Sequence, residues 1–494
     1  MTRAQLLLVA PELVLTATAL LLLLLNAVSR PRSIEWAGRL TALGLLGAGG
    51  VAGVLWGSWS QSSAEPFGLL RGDGLACFFN LLFAFGGLVS VLLAPRLLTT
   101  DPHVRALSAE FHALLLLSTV GMMLMAAASD LLMVFLGLET LSIPLYILCG
   151  LQRGRTTSIE AALKYLLLGS FATGFLVFGI ALLFAATGST DLIALREAAV
   201  PVVALGKHEA SFLYAGIALL IIGLAFKVAL VPFHQWTPDV YEGAPTPVTA
   251  FMSVGSKAAG FAAAYRVLGS PDGFGLIDRH WDGLLWVLAI ATMVVGNLGG
   301  LFQTSLKRLL AYSGIAHAGY LLIGFLVHND DGMAAVLFYL MAYAFMNLGA
   351  FAVVTLFGDP ESGDLSLTQC SGLAERNLPA ALALTLFMAS LAGLPPTAGF
   401  FAKFHLLRAA LVADLDGLVP LAIVAVWCSV VAVFYYLRPV VAMFMREATP
   451  RQAQASSAPS LSLAIIVCAA GVIGFGLWSH TLLDFAHASL TARR

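Results

Sequence analysis

The sequence predicts an all-α polytopic membrane protein with about fourteen transmembrane helices, inverted repeats and two broken helices. Three observations carry that expectation. Hydrophobic residues make up 60% of the 494 residues and charged ones only 11%, against roughly 25% charged in soluble domains. Apolar runs long enough to cross ~30 Å of hydrocarbon as helix recur along the whole chain. Two of those runs are interrupted by proline, which removes a backbone donor and clashes with the preceding turn.

Runs of about 20 apolar residues lie near 5–28, 36–59, 74–95, 107–128, 131–151, 160–187 and 211–241. Seven more lie near 246–268, 283–304, 307–328, 333–357, 379–411, 418–445 and 460–486. The first run, after Arg3, is too long for the core of a signal peptide and no small-residue cleavage site follows it, so it reads as a span. The interrupted runs are those near 211–241, at Pro232, and near 379–411, at Pro395-Pro396. At membrane depth the freed carbonyls need a protein or water partner. Broken spans in corresponding halves point to inverted repeats with a transport path near the midplane. Leu163-Lys164-Tyr165-Leu166 is echoed by Leu337-Phe338-Tyr339-Leu340, a faint sign of duplication.

Lysine and arginine in short loops set orientation. Twelve fall on one side: Arg30, Arg32, Arg39, Arg96, Arg105, Arg153, Arg155, Lys307, Arg308, Arg376, Arg446 and Arg451. Nine fall on the other: Arg3, Arg71, Arg196, Lys207, Arg266, Arg279, Arg408, Arg493 and Arg494. An even number of spans then places both termini on the side away from the cytoplasm.

The net charge of −1 gives no reason to expect nucleic acid. Cys77, Cys149, Cys370, Cys428 and Cys468 stand alone, without the CxxC spacing that iron–sulfur or zinc ligation needs; they read as small apolar residues inside helices, and the chain as free of redox centres and cofactors. Gly47-Ala-Gly49-Gly-Val-Ala52 loosely fits a dinucleotide fingerprint, yet it lies inside an apolar span with no preceding strand, so it fails the test of context. No P-loop, Ser/His/Asp arrangement or metal-ligand cluster is present.

Charge inside a span costs ~2.5–3.5 kcal/mol on insertion scales, so it should be sparse and purposeful. Glu139 lies about 12 Å into its span at ~1.5 Å per residue. Lys257 falls near mid-bilayer, Lys227 five residues before Pro232, Lys403 seven after Pro396, and His317 ten residues into its run. Lys164 lies a turn inside its span. Each has a plainer reading. Lys164 can snorkel to the headgroups, His317 can be a neutral core histidine, and the others can form static ion pairs. Three lysines and one glutamate cannot all pair, however, and a lysine poised between desolvation and a nearby carboxylate can take and release a proton. Asp130, Asp239, Glu242 and Arg266 read as boundary residues near water, His112 and His234 as interfacial hydrogen-bonders, and Met122, Met123 and Met125 as packing.

Residues 226–245 (FKVALVPFHQWTPDVYEGAP), 247–262 (PVTAFMSVGSKAAGFA), 303–320 (QTSLKRLLAYSGIAHAGY) and 393–404 (GLPPTAGFFAKF) closely resemble the antiporter-like proton-pumping subunits of respiratory complex I, NADH-quinone oxidoreductase. The resemblance covers about residues 105–445. Within that group ALKYLLLGSFATGFLVFGIALLFAATGS at 162–189 looks like the N-type branch, as does a total of fourteen spans; L-type members add a long lateral helix, and M-type members carry a glutamate where Lys403 stands. The resemblance implies an N-terminal three-helix segment over 1–105, antiporter-like repeats over 106–270 and 280–445, and a C-terminal helix over 446–494. It implies that Glu139 pairs with Lys227, that Lys164 modulates that pair, that Lys257 links the cytoplasmic and central parts of the path, and that His317 relays to Lys403 at the exit. It also implies partners: M-type and small K- and J-type membrane subunits, with FMN and iron–sulfur clusters in other subunits. Two other readings stay open, a subunit of a multi-subunit Na⁺/H⁺ antiporter and a passive scaffold of the membrane arm.

Overall fold

A computed structural model describes residues 7–29, 35–59, 68–204, 209–270, 273–274, 281–359, 363–413, 415–447 and 459–491. The orientation residues Arg3, Arg30, Arg32, Lys207, Arg279, Arg451, Arg493 and Arg494 lie outside the described residues.

The described residues fold as helices joined by turns and short loops. Three helices come first: α1 (Ala10–Ser29), α2 (Glu35–Trp59) and α3 (Gly74–Thr100). After the short α4 (Pro102–Ala106) come α5 (Ser108–Ala127), α6 (Leu131–Cys149), α7 (Thr156–Thr187) and α8 (Leu192–Ala204). Next are α9 (Glu209–Val228), α10 (Trp236–Gly243) and α11 (Thr246–Ala264), the last closed by a π turn over Tyr265–Gly269. The second half runs through α12 (Asp282–Leu301), α13 (Leu306–Leu326), α14 (Asp330–Phe357), α15 (Leu373–Arg376), α16 (Leu378–Ala392) and α17 (Ala398–Val412). It ends with α18 (Leu418–Met445), α19 (Pro459–Leu477) and α20 (Ser479–Thr491). Strand pairing among the described residues is confined to isolated bridges, such as Asp130 with Asp191 and Ser305 with Ser366.

Twelve of the described helices are long and apolar enough to cross a membrane. Two more of the expected spans take other forms. Helix α11 carries Ser253, Ser256 and Lys257, which lower its hydropathy although it is buried almost end to end. The run near 379–411 is the pair α16–α17, with α16 a shorter apolar helix. The protein is therefore a multi-pass membrane protein. Large apolar side chains such as Val54, Phe171 and Trp427 face outward, the last two 68% exposed; a soluble protein would not show so much apolar surface. Helices α13 and α14 form the centre and are the most buried spans.

Short polar caps set the boundaries. Asp130 accepts from the Leu132 amide at 2.7 Å and starts α6 three residues after α5 ends, so the closely spaced runs near 128–131 are two helices. Asp73, Ser305 and Asn329 cap α3, α13 and α14 in the same way. Helices α5 and α6 cross with Gly121 against Gly137: a Cβ on Gly137 would lie 3.1 Å from the Gly121 carbonyl oxygen, the close approach that small residues permit.

Three expectations are corrected. The last apolar run is two helices, dividing between Leu477 and Ser479, because Trp478-Ser479-His480 interrupts its apolar character. Arg266 is not at a watery boundary. It is 2% exposed and grips Asp73 through two bonds of 2.6 and 2.7 Å. Cys370 lies in a turn rather than a helix, although all five cysteines are buried and free.

Candidate functional site

Both proline breaks divide a span at a point where carbonyls lose their helical donors, and in both the protein supplies substitutes. Helix α9 ends at Val228, Ala229 turns with φ 62°, and Val231-Pro232 is cis. The Ala229 amide and Trp236 Nε1 both donate to the Phe226 carbonyl, at 3.1 Å each, and the Leu230 amide to that of Ala225 at 2.8 Å. Helix α16 ends at Gly393, whose φ of 88° favours glycine. The Lys403 ammonium, from α17, donates to the Ala392 carbonyl at 2.9 Å. A cation at the carbonyl end of a half-helix is the arrangement the helix dipole favours.

Lys227, Lys257 and Lys403 are each less than 10% exposed, and none of them belongs to a described ion pair. Lys227, in the last turn of α9, donates to Ser142 Oγ at 2.8 Å and to the Tyr165 hydroxyl at 3.3 Å. Its stem lies against α11, where a Cβ on Gly260 would be 3.4 Å from Lys227 Cγ. Lys257 donates to the Gly314 carbonyl of α13, with its ammonium 5.7 Å from the centre of the Tyr343 ring. His317 stands one turn further along α13. Its Nδ1 lies 2.6 Å from the Tyr339 hydroxyl and its Nε2 3.2 Å from that of Tyr436, which also bonds Ser313. The Lys403 ammonium lies 5.0 Å from the Tyr320 ring centre, and the His317 and Tyr320 rings are 6.2 Å apart. Lys257, His317 and Lys403 thus share one tyrosine-lined interior, and Lys227 borders it across α11.

Glu139 and Lys164 sit apart from those lysines. Glu139 is partly exposed on α6 and accepts from Thr173 Oγ1 at 2.8 Å; Ser142, one turn on, is what touches Lys227. Lys164 is 39% exposed and bridges Asp239 at 2.6 Å and Glu160 at 2.7 Å. Asp239 and Glu242, both on α10, also bind Arg308 at 2.9 and 2.7 Å. These groups line a cavity of about 480 Å³, whose wall includes Arg155 and Asp364. Burial lowers the Arg155 guanidinium from its usual pKa, and Asp359, Asp364 and Asp101 oppose that shift.

Residues 128–429 match the family described as NADH:quinone oxidoreductase/Mrp antiporter, TM. The NADH-quinone oxidoreductase subunit N of Trichlorobacter lovleyi is 41% identical over 482 residues, which are 98% of this chain and 96% of that one. The chain belongs to the NADH-quinone oxidoreductase subunit N family. Among solved structures, a chain of respiratory complex I from Thermus thermophilus with bound aureothin aligns with a TM-score of 0.79 at 34% identity, over 96% of this chain and 98% of that chain. A chain of the Mrp complex from Dietzia sp. DQ12-45-1b shares the fold, with a TM-score of 0.84 at 22% identity over 99% of this chain and 97% of that chain.

The sequence reading passed over the neutral partners of this family member's lysines: Ser142, Tyr165, Tyr320, Tyr339, Tyr343 and Tyr436. No charge marks them, and only helix packing brings them to the ammonium groups. It also left Lys307 among the loop cations. Lys307 is 0% exposed and donates to the Ala244 carbonyl at 2.7 Å. One signal was available. A lysine and an arginine in the first turn of a helix oppose its dipole, so Lys307-Arg308 at the start of α13 called for a fixed acceptor nearby.

Proposed function

We propose that this chain translocates protons across the bilayer as a membrane-arm subunit of an NADH-quinone oxidoreductase, while electrons pass from NADH to quinone in other subunits. FMN and iron–sulfur clusters belong to those subunits, and this chain carries out no redox step. Its neighbours are M-type and small K- and J-type membrane subunits. The membrane is the bacterial inner membrane, with both termini periplasmic.

One observation carries the reading: three buried lysines held by hydroxyls and carbonyls, with no carboxylate in ion-pair contact among the described residues. A static role would call for a bonded counter-ion, since an unpaired buried charge is costly. A proton carrier needs the opposite, a group whose charged and neutral forms are both tolerated. In this reading Lys227 exchanges protons under the influence of Glu139, and Lys164 tunes that pair from the charged cavity. Lys257 takes the proton onward, His317 relays it between hydroxyls, and Lys403 releases it toward the periplasm. Charge moving along the membrane arm is a sufficient trigger. Two unit charges ~8 Å apart at an effective dielectric near 20 interact by about 2 kcal/mol, roughly 1.5 pKa units.

We also propose two repeats, over 106–270 and 280–445, between a three-helix segment over 1–105 and a C-terminal segment over 446–494. In support, the bridge Asp130–Asp191 recurs as Ser305–Ser366 with both members displaced by 175 residues. Each half also holds one break followed by a half-helix, α10 and α17.

The test is NADH-driven pH change in membrane vesicles carrying Lys227→Ala or Lys403→Ala. Assembly with lost acidification supports the path. Assembly with normal acidification in both variants sinks it and leaves the scaffold reading.

A further inference from the structure

The outward face of α18 plays no part in the path above. Where it passes the end of α12 there is an open cavity of about 700 Å³, lined at its polar end by Arg438, Arg446, Thr304 and Thr368. No carboxylate is among the described residues that line it, and neither arginine belongs to a described ion pair. Arg438 donates through Nη1 to the Leu301 and Gln303 carbonyls at 2.6 and 3.0 Å. This is the carbonyl end of α12, where the helix dipole favours a cation. A guanidinium has five N–H groups, and those on Nε and Nη2 of Arg438 have no described partner. Arg446, just past the end of α18, is exposed.

Below the arginines the wall is apolar. Phe434, Leu437 and Val441 line the cavity, and they are 64%, 36% and 40% exposed. Their spacing of three and four residues puts them on one face of α18, which Val430, also exposed, continues. Val441 to Val430 is eleven residues, or ~17 Å along the axis, close to the ~15 Å of hydrocarbon in one leaflet. The depth of the polar end is fixed as well. Helix α12 is a span that ends at Leu301, so Arg438 sits where hydrocarbon gives way to headgroups. A water-borne anion would use the arginines and have no need of the wall. A partner helix would cover the wall but would have to bring a carboxylate to the boundary. A phospholipid meets both demands with one molecule, and basic pockets between spans attract anionic headgroups.

We propose that α18 and the end of α12 form a binding site for a phospholipid of net negative charge. Arg438 and Arg446 hold its phosphate, and an acyl chain lies along Leu437 and Phe434. The lipid braces a seam from outside that is stitched within: the Tyr435 hydroxyl donates to Asn297 of α12 at 3.1 Å, and Tyr436 meets His317. The site needs only the membrane placement of these two helices, so it can fail without the proton path failing, and the reverse.

The experiment uses the whole complex, reconstituted into vesicles of equal parts phosphatidylglycerol and phosphatidylethanolamine. The photoreactive residue p-benzoylphenylalanine stands in place of Leu437. Illumination joins it to whatever lies against it, and mass spectrometry of this chain identifies the adduct. Phospholipid adducts are expected, with phosphatidylglycerol favoured about fivefold over phosphatidylethanolamine, the factor one basic residue contributes near an anionic headgroup. Arg446→Gln should bring the two lipids close to parity, and Arg446→Glu should turn the preference to phosphatidylethanolamine. Arg446 has no described partner in the protein, so neither variant disturbs the packing of α18. Parity with both arginines present overturns the site. So does a preference for phosphatidylglycerol that survives both Arg446 variants. An adduct with another subunit in place of lipid also overturns it, because the wall is then a protein interface.

Discussion

Removing the charge of Asp73 should destabilise the protein far more than any surface ion pair would. The carboxylate meets both terminal nitrogens of Arg266 at 2.6 and 2.7 Å, with side chains 1% and 3% exposed. Arg266 Nε also donates to the Ala126 carbonyl at 2.8 Å, so one guanidinium ties the start of α3, the end of α5 and the π turn that closes α11. Asp73→Asn keeps one side-chain oxygen to accept from the Ala76 amide, the capping bond of 2.9 Å, while it removes the charge and sets an amide donor where the second oxygen accepted from Arg266. Breaking one side of a buried pair costs ~3–5 kcal/mol, or two to four powers of ten in the folding equilibrium. The assay is equilibrium unfolding of the purified subunit by SDS titration in mixed micelles. Replacing both partners, Asp73→Asn/Arg266→Met, should return stability to within about 1 kcal/mol of the original, because a buried pair is often worth little against apolar residues of similar volume. If Asp73→Asn alone shifts the equilibrium by less than about 1 kcal/mol, the reasoning is wrong and the pair is not desolvated. Helix α11 carries Lys257, so the same substitution should also slow NADH-driven acidification.

Gly121→Val should cost about 1–3 kcal/mol in the same titration, since its Cβ would meet the backbone of α6 at Gly137 and Leu141; an unchanged midpoint would show that α5 and α6 do not cross as described. Lys164→Ala should cost at most about 1 kcal/mol, because the pair is partly solvated and Asp239 keeps Arg308. Its acidification should be slowed less than that of Lys227→Ala; equal losses in the two would put Lys164 on the path itself.

Much of the architecture was legible because membrane folding imposes rules on composition. Backbone groups in hydrocarbon must be satisfied within the helix, so span length reads directly from apolar runs, and α1 to α3 fall where the runs predict. Proline acts locally, so the breaks at Pro232 and Pro395-Pro396 were visible as well. Buried charge is rare, which singled out Lys227, Lys257 and Lys403 with no structural information. The split between α19 and α20 was harder to see, because three residues of weaker hydropathy, Trp478-Ser479-His480, do not end an apolar run.

What the amino-acid order determined by itself was where the chain is helical, where its apolar runs lie, where it breaks and that Lys227, Lys257 and Lys403 are buried. Each of these depends on neighbours along the chain and on the cost of polar groups in hydrocarbon. Only the tertiary structure decided which group each charge meets. Arg266 reaches across 193 residues to Asp73, Lys257 across 57 to a carbonyl and Lys307 across 63 to another. A backbone carbonyl looks alike at every position in a sequence. It becomes an acceptor for a buried lysine only where two helices pack closely enough, and in the right register, to bring the ammonium group onto it.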